Sequence, residues 1–245
     1  MKELLNYLCD TLDPIQRRLR LQAILKTNFP DRIIQRQQKI WTDGVVHDTV
    51  NYLLPFGLGD LDGKYMAVGA HYDAVPDCPG ANDNGAAVIQ LILAAKKLAK
   101  TGLEPNVTFC FWDHEEIYGS PMMGSRLFVN DLSRELPEKA LVWDVTGIGD
   151  VFYFSGGPLD DPTGLVRDLP HRRTPPSDDL NLKRAGIPTT LICALPESEF
   201  SKTFPGTWGT MHSMEDSVEK VWNSSLTKGS DLCVELIRRY SRQGF

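Results

Sequence analysis

The sequence predicts an α/β protein, a three-layer α/β/α sandwich with a central mixed, largely parallel sheet. Three observations predict it. Short runs rich in β-branched and aromatic residues have the length and composition of buried strands, as at residues 65–70, 106–112 and 187–194. Segments with apolar residues at helical spacing lie between these runs, and the clearest is residues 86–98. The alternation of strands and helices is typical of a sheet covered by helices on both faces.

The N-terminal part of the chain predicts two helices followed by a hairpin. Residues 1–26 carry apolar side chains at helical spacing, and Asp13-Pro14 divides them as an N-cap and a first helical position. Residues 33–41 and 45–54 are predicted as strands, with Thr42-Asp43-Gly44 as the turn between them. The next strand, over residues 65–70, ends at His71.

The remaining segments continue the alternation. Residues 86–98 (AAVIQLILAAKKL) consist of strong helix formers, which predicts a helix. Further helices are expected at residues 125–132, at residues 180–185 and at the C-terminus. Further strands are expected at residues 106–112, 140–145, 151–155 and 187–194. Two polar stretches, residues 158–179 and 195–210, are predicted as loops that form the walls of a substrate pocket.

Composition indicates one globular domain over residues 1–245, because 42% of the residues are hydrophobic and 24% are charged. The formal net charge of −6 provides no basic face, so a nucleic-acid partner is not expected. The five cysteines are scattered without a CxxC pair, which indicates neither a thiolate zinc site nor a disulfide framework. The sequence shows no signal-peptide pattern and no membrane span, so we expect a cytoplasmic protein without a membrane partner.

Side chains that bind metals follow the predicted strands. His71 follows one strand, an acidic cluster at residues 113–116 follows a second, and Asp144 closes a third. The carboxyl ends of parallel strands meet at one edge of a sheet, where ligands bind. Asp83 in GANDNG and His212 in MHSMED supply two more such groups. Imidazole and carboxylate together suit zinc, with Co²⁺ or Mn²⁺ as substitutes, and five ligands fit two ions that share one carboxylate.

The segments HYDAVPDCPGANDNGA, WDHEE and MHSMED, in this order, resemble the zinc aminopeptidases with a co-catalytic metal pair, the family of the bacterial leucyl aminopeptidases. The resemblance extends from about Asn51 to the C-terminus. It implies two Zn²⁺ ions and a role for each ligand. Asp83 would bridge the ions, His71 and Asp144 would complete the shell of one, and Glu116 and His212 that of the other.

The resemblance also implies the chemistry. Glu115 would be the general base, taking a proton from a zinc-bridging water and delivering it to the leaving amine. Asp73 would hold the His71 ring in the tautomer that binds metal. The expected activity is that of a zinc metallopeptidase, an aminopeptidase that hydrolyses the N-terminal bond of small peptides with a free N-terminus.

Two alternatives remain open. The related glutaminyl cyclases, which use a single zinc to form N-terminal pyroglutamate, share most of these ligand types and a longer segment before Gly124-Ser125-Arg126. Met211 stands where that group has a tryptophan, and the strand before residue 195 lacks its histidine, so the aminopeptidase is preferred. The second alternative is a non-catalytic binding module.

The chain also departs from many relatives at Ser177-Asp178-Asp179, where they have Ser-Asp-His.

Overall fold

The computed structural model of the chain describes residues 1–42, 45–57, 64–102, 105–116, 123–131, 135–157 and 161–243. Two features expected from the sequence lie outside these ranges, namely Asp43 and Gly44 of the predicted hairpin turn and most of the segment between Glu116 and Gly124. The strands are β1 (Ile34–Thr42), β2 (Val45–Phe56), β3 (Met66–His71), β4 (Val107–Trp112), β5 (Lys139–Trp143), β6 (Val151–Ser155), β7 (His171–Arg172) and β8 (Thr189–Leu195).

Within the described ranges these eight strands form one sheet, in the order β1-β2-β4-β3-β5-β8-β6-β7. The four central strands, β4, β3, β5 and β8, run parallel to one another. Towards the edges, β2 pairs antiparallel with β4, β1 with β2, and β6 with β8. The predicted mixed sheet with a parallel centre is therefore confirmed.

Helices cover both faces of the sheet. They are α1 (Lys2–Cys9), α2 (Pro14–Asn28), α3 (Ala86–Thr101), α4 (Met123–Asn130), α5 (Asp179–Arg184), α6 (Glu197–Phe200) and α7 (Asn223–Arg242). The larger apolar core joins one face of the sheet to α1, α2, α3 and α7. A smaller core joins the other face to Phe128 of α4 and Leu182 of α5. Strand β3 shows the two faces directly, because Val68 lies in the larger core and Ala67 in the smaller one.

Local sequence signals account for several helix ends. The Asp13 carboxylate caps α2 by accepting a hydrogen bond from the amide of Ile15 at 2.8 Å, and Pro14 is the first helical residue, as predicted. Helix α3 continues three residues beyond the predicted end and stops before Gly102, whose φ of 66° is left-handed. Among the described helices, none has the length and apolarity that crossing a bilayer requires.

Several predicted bounds differ from the structure, and the predicted loop over residues 195–210 contains helix α6. Two further differences concern strands. The strand predicted over residues 140–145 ends at Trp143, because Val145 has a φ of 51° and turns the chain away from the sheet. Asp144 therefore lies just past the strand. The stretch predicted as a loop from residue 158 to 179 contains the two-residue strand β7, which pairs with β6.

Candidate metal centre

His71, the last residue of β3, is buried and faces two carboxylates. Its Nε2 atom lies 3.3 Å from Asp83 Oδ1 and 3.6 Å from Asp144 Oδ1. One ligand atom from each of the three residues lies within 4.8 Å of the others, close enough to hold one cation. Asp144 reaches this position because it follows the parallel neighbour of β3, strand β5.

A second group contains Asp83, Glu116 and His212, with its ligand atoms again within 4.8 Å of one another. His212 Nε2 lies 3.2 Å from Asp83 Oδ2 and 3.2 Å from Glu116 Oε1. Asp83 thus presents Oδ1 to the first group and Oδ2 to the second. The structure brings together all five residues that the sequence suggested as metal ligands, in two groups that share one carboxylate.

Asp73 connects His71 with the segment after β4. Its Oδ1 atom lies 3.3 Å from His71 Nδ1. The same carboxylate accepts hydrogen bonds from the amides of Glu115 at 3.0 Å and Glu116 at 2.9 Å. Asp73 therefore fixes the backbone that carries both glutamates, a contact that sequence reasoning did not foresee.

The turn at Ala81–Gly85 carries Asp83 and is held from two sides. The buried Asp216 carboxylate accepts hydrogen bonds from the amides of Asn82 at 2.7 Å and Asp83 at 3.0 Å. On the other side, Asn84 Nδ2 donates a hydrogen bond of 2.9 Å to the carbonyl of Trp143, at the end of β5. These contacts tie the turn both to the segment of His212 and to the strand before Asp144.

Two other residues of the sequence cluster have structural partners. The Asp113 carboxylate contacts the Arg18 guanidinium at 2.7 Å and accepts a hydrogen bond of 2.9 Å from the amide of Val50. His114, expected to be a packed neighbour, is buried with its Nδ1 atom 2.9 Å from the Thr49 hydroxyl. Neither belongs to the three groups of potential metal ligands found in the described part of the chain.

Glu115 lies beside both groups of potential metal ligands, in a strongly negative environment. In one further group, its carboxylate comes within 4.8 Å of ligand atoms of His71 and Glu116. The pKa of Glu115 is raised to about 10, mainly by burial; the charges of Asp178 and Asp144 also raise it, and that of His71 lowers it. A nearby cation would return the carboxylate to its ionised form.

The second group of potential metal ligands, Asp83, Glu116 and His212, has the same excess of negative charge. Burial and the charge of Asp83 raise the pKa of Glu116 to about 8. The pKa of His212 is raised to about 9, mainly by its hydrogen bond to Asp83. Burial alone would raise the pKa of Asp83, but the adjacent imidazoles of His212 and His71 lower it overall. Protons on the imidazoles thus offset charge that a divalent cation would neutralise.

A cavity of about 270 Å³ opens next to these carboxylates. Apolar side chains form much of its wall, including Val145, Leu191, Trp208 and Met211. The two predicted wall loops both contribute, the first through residues 174–176 and the second through Trp208. An apolar pocket beside a metal centre suits the side chain of a small ligand.

Asp178 is a residue of the site that sequence reasoning did not select. It is completely buried, and burial raises its pKa to about 7. Its charge is among those that raise the pKa of Glu115, and the charges of Asp73 and Asp144 help to raise its own pKa. The difference from many relatives at Ser177-Asp178-Asp179 was the one sequence signal that pointed to this residue. It did not show that the Asp178 side chain faces the site.

The chain is similar in sequence to known peptidases. Residues 58–155 match the model for Peptidase family M28. The probable leucine aminopeptidase 2 of Aspergillus fumigatus is 34% identical to this chain over 95 residues, which cover 38% of this chain and 18% of that protein. The chain matches less than a fifth of the length of this relative and of yeast aminopeptidase Y, at 18% and 17%. The resemblance to the zinc aminopeptidases is confirmed over the matched residues.

Solved structures share the fold over nearly the whole chain. A glutaminyl cyclase from Porphyromonas gingivalis has a TM-score of 0.79 and 17% identity, and the match covers 98% of this chain and 96% of that one. A Zn-dependent exopeptidase from Parabacteroides distasonis has a TM-score of 0.74 and 17% identity, with 96% of each chain covered. At these identities the likeness establishes the fold, which is the predicted α/β sandwich.

Proposed function

We propose that this chain, whose residues 58–155 match the model for Peptidase family M28, is a zinc-dependent aminopeptidase of small peptides. The observation that carries the proposal is the position of Asp83, with one carboxylate oxygen facing each of two ligand groups. Two Zn²⁺ ions, with Co²⁺ or Mn²⁺ as substitutes, a free peptide N-terminus and a cytoplasmic location belong to the same proposal.

The residues present fit divalent cations. His71 Nε2 and Asp144 Oδ1 are buried and, within the described part of the chain, make no hydrogen bond of good geometry. Leaving such atoms unpaired is costly, and a cation between them would satisfy both. His71, Asp83 and Asp144 would hold one ion, and Asp83, Glu116 and His212 the other. When bound, the ions supply Lewis acidity, which polarises the scissile carbonyl and lowers the pKa of an attacking water.

The protein's own groups have separate tasks. Glu115 lines the cavity beside the metal groups, where it can accept the proton of the attacking water and donate it to the leaving amine. The surrounding carboxylates attract the positive α-amine of a peptide. The apolar wall formed by Val145, Leu191 and Trp208 receives the N-terminal side chain.

The first prediction concerns Glu115→Gln. We expect kcat to fall by roughly 100- to 10,000-fold, because glutamine cannot accept the proton. The bound zinc should remain, since the five proposed ligands are unchanged. Release of free amino acid from a panel of short peptides measures the first effect, and the zinc content of the purified protein measures the second.

Glu197→Gln, on the exposed helix α6, is the matched control and should leave turnover unchanged. Wild-type turnover by Glu115→Gln would contradict the role of Glu115. The panel also includes N-terminal glutamine and N-blocked peptides. Pyroglutamate formation without release of amino acids would identify a glutaminyl cyclase, and zinc binding without turnover of any substrate would identify a binding module.

A further inference from the structure

We propose that Arg17 is a positioning residue, which holds the loop between two metal ligands in the shape that binds zinc. The proposal rests on the proposed metal centre and concerns a part of the chain outside the family match. Arg17 lies in the first turn of α2 and is 2% exposed. Its guanidinium donates hydrogen bonds to the carbonyls of Tyr72 at 2.5 Å, Pro79 at 2.5 Å and Gly80 at 2.8 Å.

These three carbonyls lie at the two ends of one loop. Tyr72 directly follows His71, and Gly80 precedes Asp83 by three residues. Residues 74–80 contain neither helix nor strand, so regular hydrogen bonding does not fix the distance between the loop ends. The guanidinium spans this gap and thereby sets the separation of the backbone segments that carry His71 and Asp83.

The turn that carries Asp83 requires a glycine at position 80, because the Asp83 carbonyl oxygen lies close to the Gly80 backbone. Its φ of 56° is left-handed, and a Cβ atom there would lie 2.6 Å from the carbonyl oxygen of Asp83. The Gly80 carbonyl also accepts the hydrogen bond of the Gly85 amide at 3.0 Å, which closes the Asp83 turn. Arg17 therefore binds the carbonyl on which this turn closes.

The contacts continue to the segment of His212. Asp216 holds the amides of Asn82 and Asp83, and its own carbonyl accepts a hydrogen bond from the amide of Ala81 at 3.1 Å. Arg17 and Asp216 thus hold consecutive residues at the start of the Asp83 turn, Arg17 through the carbonyls of Pro79 and Gly80 and Asp216 through the amides that follow.

The chemistry of arginine suits this task. Its planar guanidinium offers five N–H donors in a fixed geometry, so it can serve three carbonyls at once. A lysine keeps the charge but concentrates its donors at one nitrogen, which cannot reach all three oxygens in the same way. A methionine fills similar space and leaves the carbonyls unpaired.

The test measures zinc binding without substrate, using the full chain and competition with a chromogenic chelator. We expect Arg17→Met to weaken zinc binding by about 10- to 100-fold, the typical effect of removing a group that orients metal ligands. Arg17→Lys should lie between Arg17→Met and the wild type. At saturating zinc, turnover by both variants should recover towards the wild-type kcat, which a general loss of folding would not allow.

Arg20→Met is the matched control, because Arg20 lies one turn further along α2 and donates to the carbonyls of Tyr7 and Asp10 instead. It should bind zinc as the wild type does. Wild-type affinity in both Arg17 variants, or an equal loss in Arg20→Met, would overturn the proposal. Failure of both Arg17 variants to fold would also overturn it, by assigning Arg17 to overall stability. A wild-type chain that binds no zinc would instead overturn the proposed function.

Discussion

Asp73 and Asp178 show how single buried carboxylates shape the site around Glu115. Asp73 holds the backbone of Glu115 and Glu116 through two amides, and so sets where their side chains begin. Asp178 acts at a distance through its charge. The two residues differ in how visible they are in the sequence, because Asp73 stands two positions after His71 and Asp178 stands far from every ligand.

Replacing Asp178 with asparagine should shift the pH dependence of activity. Because the charge of Asp178 raises the pKa of Glu115, its removal should lower that pKa. The acid limb of the kcat/KM profile should then move to lower pH, while the zinc content stays unchanged. Asp168→Asn, at an exposed position paired with Arg239, is the control and should leave the limb in place. An unchanged limb in Asp178→Asn would contradict the electrostatic role.

The sequence predicts individual residues well where a motif carries them. His71, Asp83, Glu116, Asp144 and His212 were selected because each stands in a short pattern of metal-binding types, and the structure places them together. Arg17 and Asp178 could not be found in this way. Arg17 looks like one of several charged residues on a surface helix, and only the folded chain shows that its side chain turns inward.

At the scale of elements, β3 and β4 approach each other closely enough to restrict a side chain. Gly69 in β3 faces the ring of Trp112 in β4, and a Cβ atom at Gly69 would lie 2.2 Å from that ring. Trp112 is fully buried and cannot move aside easily. A glycine in the middle of a strand is explained here by the bulk of its neighbour.

We therefore expect Gly69→Ala to lower the free energy of unfolding by about 1–3 kcal/mol, the usual cost of overpacking a core. Chemical denaturation monitored by tryptophan fluorescence measures this change. Gly209→Ala is the control, since a Cβ atom at Gly209 meets no atom within 4 Å. Equal stability of the Gly69→Ala protein and the wild type would show that the Trp112 ring can shift.

Elements were predicted best where the sequence pattern was long or strongly apolar. Strand β6 has the predicted bounds, Val151–Ser155, and helix α3 begins where its run of helix formers begins. The two-residue strand β7 was missed because its pairing with β6 depends on tertiary contacts and leaves no periodic pattern. The end of β5 was misplaced because the sequence does not show the left-handed backbone at Val145.

At the scale of the whole molecule, several acidic groups meet in one buried place. The raised pKa values are about 6 for Asp216, 7 for Asp178 and 8 for Glu116, against ordinary values of 3.8, 3.8 and 4.5. His212 is raised from 6.5 to about 9. The folded chain thus holds these protons more tightly than the unfolded chain, so their contribution to stability is lost as pH rises through 6 to 9.

We expect the melting temperature of the chelator-treated protein to fall as the pH rises from about 5 to 9. The lowered pKa values of Asp83 and Asp73 oppose this trend only below their ordinary value of 3.8. Added zinc should raise the melting temperature, and more at pH 8 than at pH 5, because its ligands must be deprotonated. Thermal melts with and without chelator test both effects. A melting temperature that chelation leaves unchanged at every pH would contradict the metal centre itself.

The two oxygens of Asp83 have a consequence for how the proposed ions load. A first cation bound at one oxygen would withdraw charge from the carboxylate and fix its rotamer, so a second cation would meet a less basic but already oriented ligand. The two binding steps would therefore be thermodynamically coupled, and the effect of each ion on the affinity of the other would be the same in both directions. At limiting zinc, the loss of charge on Asp83 would favour molecules with one ion bound. The fixed rotamer of Asp83 would instead favour molecules with both ions bound.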